Sequence, residues 1–344
     1  MDHLVETTVA QSGGIITRSQ AVALGLSERE VDSLLRQRRL IAVRTGLYTT
    51  SQLWSSWDEH RERPLARVRA AQASIEIEHV FSHESAALIW GLPLVEAATA
   101  APHITRRDKR ATRTYGGIFH HGAAYDDDQV EWVEGLPVLD RARTVLDLSR
   151  RRDGRRSGLV AADAYLRRGH SRQSLSDLLL TQMVGWPYTR TAARVVREAD
   201  GGSANAGESL ARELVLEAGL GPVETQFPIP HRGGTYFGDI RAGRHIIEFD
   251  GRIKYRSLAQ GGVADRELDE ILWDERSRHR DISMVGLGVS RLVYADFWGA
   301  ARERAKVRLR ADHAEIVARL GRELSPDLES YANDVREQGW FRTS

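Results

Sequence analysis

Three carboxylates lie close together in one short segment of the chain. Residues 239–255 read DIRAGRHIIEFDGRIKY and contain Asp239, Glu248 and Asp250. The segment otherwise has the pattern of a β-hairpin, where an ionised carboxylate is costly to bury without a partner. Converging carboxylates also repel one another unless a cation neutralises them. The segment therefore favours a metal site.

The hairpin itself explains how these acids would meet. A turn at residues 242–243 would place Asp239 and Glu248 on one face, opposite or diagonal, and strand alternation adds Asp250 to that face. Oxygen ligands with an open side suit Mg²⁺ or Mn²⁺ better than Zn²⁺, and water and a substrate phosphate complete such a shell. We therefore expect hydrolysis of a phosphate ester, with Asp239, Glu248 and Asp250 as catalytic metal ligands.

Two further residues extend this predicted catalytic set. Lys254 follows Asp250 by four positions and would stabilise charge at phosphorus or orient the attacking water. Glu208 opens the preceding predicted helix and would supply another ligand or a base.

A structural interpretation of the same acids stays open. Asp239 and Glu248 would then form ion pairs that hold the hairpin together. The arginines available for these pairs are Arg241, Arg244 and Arg280.

The N-terminal segment predicts a second function. Thr17 and Ser27 each begin a capping box, with Gln or Glu three residues later, and a short hairpin pattern follows over residues 40–50. This order is typical of a winged helix-turn-helix over residues 1–50, whose second helix enters the major groove of DNA. The residues expected to contact nucleic acid are Arg29, Ser33, Arg36, Gln37 and Arg44. The alternative is that the same unit binds a protein.

Residues 51–200 predict a middle domain of mixed α+β structure. A helix is expected from Asp140, a plausible N-cap, with Val145, Leu146 and Leu148 facing a core. No helical or strand spacing joins the adjacent histidines at 120 and 121 to the acids at 126–128, so we interpret that segment as a solvated loop.

The composition of the chain limits the kinds of site and partner that it can have. The 344 residues carry 49 Lys and Arg against 48 Asp and Glu, so any basic surface is local. The absence of cysteine excludes disulfides and thiolate metal sites. No apolar run has the length of a membrane span, and we expect a cytoplasmic protein with no membrane partner and leave its oligomeric state open.

From residue 201 the expected order is helix, three strands, helix and strand, an α/β core. The pattern D-x8-E-x-D-G-x-x-K, with Glu208 upstream, resembles the Vsr-like branch of the PD-(D/E)XK nucleases, which have a restriction-endonuclease-like fold. The resemblance implies that Asp239 and Glu248 hold the metal. The family's lysine two residues after the glutamate is replaced by Asp250, and Lys254 is the candidate substitute. It also implies that Glu275, Arg280 and Arg291 line the cleft.

The whole chain resembles AbiEi-type antitoxins of abortive-infection and type IV toxin–antitoxin systems, fused to a nuclease-like domain. This implies a winged helix over 1–50, an AbiEi-like middle domain over 51–200 and a nuclease-like domain over 201–344, with a cognate toxin as a further partner. The leading expectation is a Mg²⁺- or Mn²⁺-dependent endonuclease acting on DNA in repair or defence. The alternative is a non-catalytic DNA-binding regulator or antitoxin, and RNA stays open as a substrate.

Overall fold

Contacts between residues divide the chain into two units. The structure, a computed structural model, describes residues 2–95, 101–231, 234–251 and 280–339. Unit 1 comprises residues 1–161 and 171–197, and unit 2 comprises residues 162–170 and 198–344. The chain is a multidomain α/β protein, as predicted from its sequence. The division into three domains at residues 50 and 200 stays a prediction.

Unit 1 begins with three helices and a small sheet. These elements are α1 Asp2–Gln11, β1 Ile16–Thr17, α2 Arg18–Ala23, α3 Glu28–Arg36, β2 Leu40–Arg44 and β3 Leu47–Thr50. The sheet order is β1-β3-β2, with both pairs antiparallel. Both predicted capping boxes are present, because Thr17 and Ser27 cap α2 and α3 and the side chains of Gln20 and Glu30 bond back to them. Two capped helices joined by a short turn and followed by a hairpin are therefore present, and their assignment as a winged helix stays a prediction.

A small apolar core holds these elements together. Val31 of α3 is fully buried among Ile16, Leu26 and Tyr48, and Leu34 and Leu35 pack against the same cluster. Val31, Leu34 and Leu35 therefore form the buried side of α3. The opposite side of the helix faces solvent.

The rest of unit 1 is built on a six-stranded mixed sheet. Its elements are α4 Ser51–Ser56, α5 Glu62–Gln72, β4 Val80–Phe81, α6 His83–Ile89, β5 His103–Arg106, β6 Arg113–Tyr115, β7 Ile118–Gly122, β8 Val130–Val133, β9 Leu136–Leu139, α7 Arg141–Ser149, α8 Arg155–Arg167, α9 Arg172–Thr181 and α10 Thr189–Glu198. The strand order is β6-β7-β5-β4-β9-β8, in which β5 runs parallel to β7 and β4 to β9. Asp140 caps α7 as predicted, and its carboxylate accepts the Arg143 amide at 2.8 Å.

Unit 2 contains a four-stranded sheet with helices before and after it. Its elements are α11 Ala206–Ala218, β10 Glu224–His231, β11 Gly234–Ala242, β12 His245–Asp250, β13 Gly288–Val293, α12 Gly299–Leu320 and α13 Pro326–Glu337. Strands β10, β11 and β12 form an antiparallel meander, and β13 adds in parallel to β12. Most of the helix expected between the third and fourth strands lies outside the described residues, and residues 280–284 are helical. Among the residues described, no helix combines the length and apolar composition needed to cross a membrane.

A buried ion pair fixes α11 within unit 2. Arg212 Nη2 donates to both carboxylate oxygens of Asp163, at 2.6 and 2.8 Å, and Arg212 Nη1 donates to the Glu198 carbonyl at 2.6 Å. Asp163 also accepts the amide of Asp200 at 2.8 Å. Burial raises the pKa of Asp163, and Arg212 counteracts that shift. The pair therefore joins α11 to the later part of α8, whose residues from 162 on belong to unit 2, and to the segment at residues 198–200.

Replacing Asp163 by Ala should lower the free energy of unfolding by about 3 to 5 kcal/mol, because Arg212 would stay buried without its partner. Urea denaturation followed by circular dichroism measures this change. The matched control is Asp334→Ala, which removes an exposed carboxylate of α13 in the same unit and should change stability by less than about 0.5 kcal/mol. Equal effects of the two substitutions would contradict the anchoring role of the pair.

Candidate functional site

The turn between β11 and β12 sets the register of the carboxylates. Gly243 and Arg244 form this turn, and Ala242 pairs with His245. The expected turn at residues 242–243 was therefore wrong by one residue. Gly243 has φ +60°, whereas Arg244 has no positive φ, which is the pattern of a type II′ turn with glycine at its first central position.

This register brings Asp239 beside the part of β12 that carries Glu248. The antiparallel pairing ends with Ile240 opposite Ile247, and Asp239 and Glu248 are the next residues along the two strands. Strand alternation puts Asp250 on the same face as Glu248. Asp239 is buried, while Glu248 and Asp250 are half-buried. Glu248 and Asp250 therefore share a face, and a face shared by all three carboxylates stays a prediction.

Two of the carboxylates already accept hydrogen bonds within the sheet. Asp239 Oδ2 accepts the Phe249 amide at 2.9 Å, and Glu248 Oε2 accepts the Tyr236 hydroxyl at 2.7 Å. In the portion of the chain that is described, the three acids do not bring one oxygen each to within 4.8 Å of one another. The geometry is therefore that of two neighbouring acids, Asp239 and Glu248, with Asp250 farther along β12.

Glu208 lies at the start of α11, where the N-cap residue Asn205 positions it. Its carboxylate accepts from Asn205 Nδ2 at 2.8 Å and from the Ala204 amide at 2.6 Å. Gln226 Nε2 lies 3.4 Å from Glu208 Oε2. Gln226 and Asp239 lie between the pairs Thr225–Ile240 and Phe227–Gly238 of the β10–β11 ladder, and Gln226 has φ +50°, a strained backbone for a residue other than glycine. Gln226 links Glu208 to the row of acids, and nothing in its sequence position indicated this.

The structure describes two of the basic residues predicted for the site in unit 2, Arg280 and Arg291. Arg291 of β13 aligns with Glu248 and is exposed. Arg280 is also exposed, at the start of the last described part of its helix. Lys254 and Glu275 lie outside the described residues, so their predicted roles stay predictions.

The other face of β12 anchors the strand in the core. Phe249 stacks on Phe297 with ring centroids 5.5 Å apart, and it packs so closely on Gly207 that a Cβ there would come within 2.1 Å of the ring. His245 is fully buried and stacks on His313 of α12 at 5.6 Å. Burial lowers the pKa of His245 to about 4. These contacts fix the strand that carries Glu248 and Asp250.

The predicted nucleic-acid surface of α3 is open to solvent. Arg29, Arg36 and Gln37 are exposed, and Ser33 and Arg44 are half-buried. Gln37 Nε2 donates to Ser33 Oγ at 3.0 Å, and burial lowers the pKa of Arg44. The face opposite Val31 therefore presents two guanidinium groups and an amide.

A cluster of three histidines in unit 1 is absent from the sequence-based predictions. His83, His103 and His121 each place a ring nitrogen within 4.8 Å of the other two. The interpretation of His121 as part of a solvated loop was therefore wrong, because its ring stacks on His83 with centroids 3.7 Å apart. The acids at 126–128 are exposed as expected. The missing information was the strand order, which sets β5 beside β7.

Comparisons with known proteins leave the family open. No protein-family model matches the chain, and no curated protein matches it. The crystal structure of the RV2827C protein from Mycobacterium tuberculosis is similar over 60% of this chain and 78% of that one, with 14% identity and a TM-score of 0.37. A likeness of that strength assigns neither fold nor function.

Acidification should destabilise unit 2 through His245. Its pKa is about 4 in the folded chain and about 6.5 when unfolded. Between these values the unfolded chain binds a proton that the folded chain does not, so stability falls as pH drops from about 6.5 towards 4. From pH 7.5 to pH 4.5, wild type should lose about 2 kcal/mol more than His245→Leu, which cannot titrate. Urea unfolding at both pH values measures this difference, and parallel losses would refute the assignment.

Proposed function

We propose that unit 2 is a metal-dependent endonuclease that hydrolyses phosphodiester bonds of DNA. The observation that carries the proposal is the pair of neighbouring acids Asp239 and Glu248 on the β11–β12 hairpin, where the Asp239 carboxylate accepts the Phe249 amide next to Glu248. Glu208 and Gln226 extend this row across β10. Acids that lie close together on a strand packed into the core lower the stability of the fold. Such a group is typical of a site that binds a cation.

The donor atoms of the pair fit a hard divalent cation. Mg²⁺ is commonly held by one or two carboxylates, with water and substrate phosphate in the other positions. Asp239 and Glu248 would hold Mg²⁺ or Mn²⁺, which supplies charge neutralisation and activation of water for phosphate hydrolysis. The Phe249 amide and the Tyr236 hydroxyl orient the two carboxylates. Arg291, aligned with Glu248 on the next strand, would bind the DNA phosphate.

The order of elements in unit 2 supports the same proposal. A helix, an antiparallel three-stranded meander and a parallel fourth strand follow one another in the chain. We propose that this is a PD-(D/E)XK nuclease core of the Vsr-like branch, in line with the resemblance of its motif. We also propose, from the resemblance of the sequence, that the rest of the chain is of the AbiEi type and that a cognate toxin is a partner.

The N-terminal elements of unit 1 would supply DNA binding. We propose that α2, α3 and the β2–β3 hairpin form a winged helix, with α3 as the helix that enters the major groove. Two observations support this role. The buried side of α3 packs on the small core, and its exposed side carries Arg29 and Arg36.

A second candidate function is a DNA-binding regulator without catalysis. The hydrogen bonds of Asp239 to the Phe249 amide and of Glu248 to the Tyr236 hydroxyl favour it, because both acids then have a role in holding the hairpin. The absence of a lysine two residues after Glu248 points the same way. In that case the nuclease-like unit would bind DNA or a partner and leave the phosphodiester intact.

Cleavage of labelled single-stranded, double-stranded and mismatched DNA, with RNA alongside, tests the nuclease. Wild type should cleave DNA with Mg²⁺ or Mn²⁺ and not with EDTA. Asp239→Asn and Glu248→Gln should each lower the rate about a hundredfold or more, because each removes a charged ligand. Both amides can still accept the hydrogen bonds described above, so the fold should persist.

The matched control is Glu315→Gln, which removes an exposed carboxylate from α12 and should leave cleavage unchanged. Binding of DNA without cleavage by wild type, in either metal, would reject the nuclease and favour the regulator. Cleavage of RNA alone would correct the substrate class.

DNA affinity tests the winged helix separately. The double substitution Arg29→Ala with Arg36→Ala should weaken binding about tenfold or more and reduce the slope of log K against log salt by about two, because two phosphate contacts are lost. The control is Arg304→Ala with Arg319→Ala, which removes two exposed charges from α12. Fluorescence anisotropy at several salt concentrations measures both. An unchanged affinity in the α3 variant would reject this helix as the DNA contact.

A further inference from the structure

We propose that His83, His103 and His121 form a zinc site in unit 1, completed by Glu84. The site is independent of the carboxylate pair in unit 2 and of the proposed nuclease. Among the residues the structure describes, these histidines are the group of three whose ligand atoms all lie within 4.8 Å of one another. Imidazole nitrogens suit Zn²⁺ and similar borderline ions, whereas Mg²⁺ prefers oxygen.

The distances lie close to those of a metal site. His103 Nδ1 and His121 Nε2 are 2.9 Å apart, and two nitrogens bound tetrahedrally at about 2.05 Å would be about 3.3 Å apart. Small side-chain rotations close that difference. Glu84 Oε2 lies 3.4 Å from His103 Nδ1 but outside the group of three, and a rotation of its side chain would bring it in as the fourth ligand. Three histidines and one carboxylate would close a tetrahedral shell, as in a structural zinc site.

The outer nitrogens of two histidines already have hydroxyl partners. His83 Nδ1 lies 3.0 Å from Ser82 Oγ, and His121 Nδ1 lies 3.2 Å from Thr112 Oγ1. When these Nδ1 atoms donate to the hydroxyls, the Nε2 atoms are the ones that present lone pairs. Metal-bound histidines usually have such a second hydrogen bond, which fixes the ring and its tautomer.

The electrostatic environment keeps the rings neutral, the form that binds metal. Burial lowers the pKa of His103 to about 3 and of His121 to about 4, and it lowers that of His83 well below 6.5. Arg150 and Arg151 are the nearby cations that oppose a bound ion. Each has an acidic partner, since Arg150 pairs with Asp147 at 3.0 Å and Arg151 pairs with Glu84.

The backbone around the cluster indicates what the ion would do. His83 begins α6 with φ +51°, a strained conformation for a residue with a Cβ. The Ser82 amide donates to the His103 carbonyl at 3.2 Å, and the His103 amide donates to Ser85 Oγ at 2.7 Å. A Zn²⁺ ion would link this turn to β5 and β7 and would hold the start of α6 against the six-stranded sheet.

Metal content and affinity test the site in the full-length protein. Wild type should carry close to one Zn²⁺ per chain by mass spectrometry of the metal. After EDTA treatment, Zn²⁺ should raise its melting temperature by mass action, and millimolar Mg²⁺ should not reproduce that rise. Co²⁺ in place of Zn²⁺ should give the intense visible absorption of a tetrahedral site.

Variants locate the ion. His103→Gln and His121→Gln should each weaken Zn²⁺ binding at least about tenfold, measured by competition with a chromophoric chelator. Glu84→Gln should also weaken Zn²⁺ binding. It should leave the fold intact, because Glu84 is half-buried. The controls are His120→Gln, the neighbouring residue on β7, and Glu315→Gln in unit 2, both of which should bind Zn²⁺ as wild type does. A wild type without stoichiometric Zn²⁺ or a zinc-dependent melting shift, or equal binding by all variants, would overturn the proposal.

Discussion

The register of the β11–β12 hairpin is the constraint on which the carboxylate site depends. A two-residue turn with Gly243 at positive φ fixes Ala242 opposite His245, and every later pair follows from that contact. A shift by one residue would send Glu248 and Asp250 to the face now occupied by Ile247 and Phe249. The acids keep their positions because His245, Ile247 and Phe249 on the other face of β12 pack in the core.

Buried polar groups with partners add rigidity around that hairpin. Asp163 and Arg212 hold α11 to the segment at Asp200, and the N-cap Asn205 sets the position of Glu208. Such pairs add little stability over apolar residues of equal size, yet breaking one is costly, so they specify a single arrangement. His245 is different because it is buried in its neutral form. Its protonation on unfolding therefore links the stability of unit 2 to pH.

The two proposed metal sites use different ligand chemistry. The acids of unit 2 offer oxygen ligands that suit Mg²⁺, with positions left for water and phosphate. The histidines of unit 1 offer nitrogen ligands, with His83 and His103 buried and His121 half-buried, and Glu84 lies beside His103. The difference predicts separate selectivity, because hard oxygen sites and imidazole sites rank divalent ions differently. Catalysis and structural support would therefore respond to different ions.

The sequence by itself determined the local elements and the pattern of acids. The capping boxes at Thr17 and Ser27, the N-cap Asp140 and the alternation along β12 follow from hydrogen bonding and side-chain direction within a few residues. Only the tertiary structure decided the one-residue shift of the turn, the approach of Gln226 to Glu208 and the histidine cluster. The cluster requires β5 to lie beside β7 and the turn before α6 to reach them. Strand order depends on the packing of the whole sheet, and local residue preferences do not encode it.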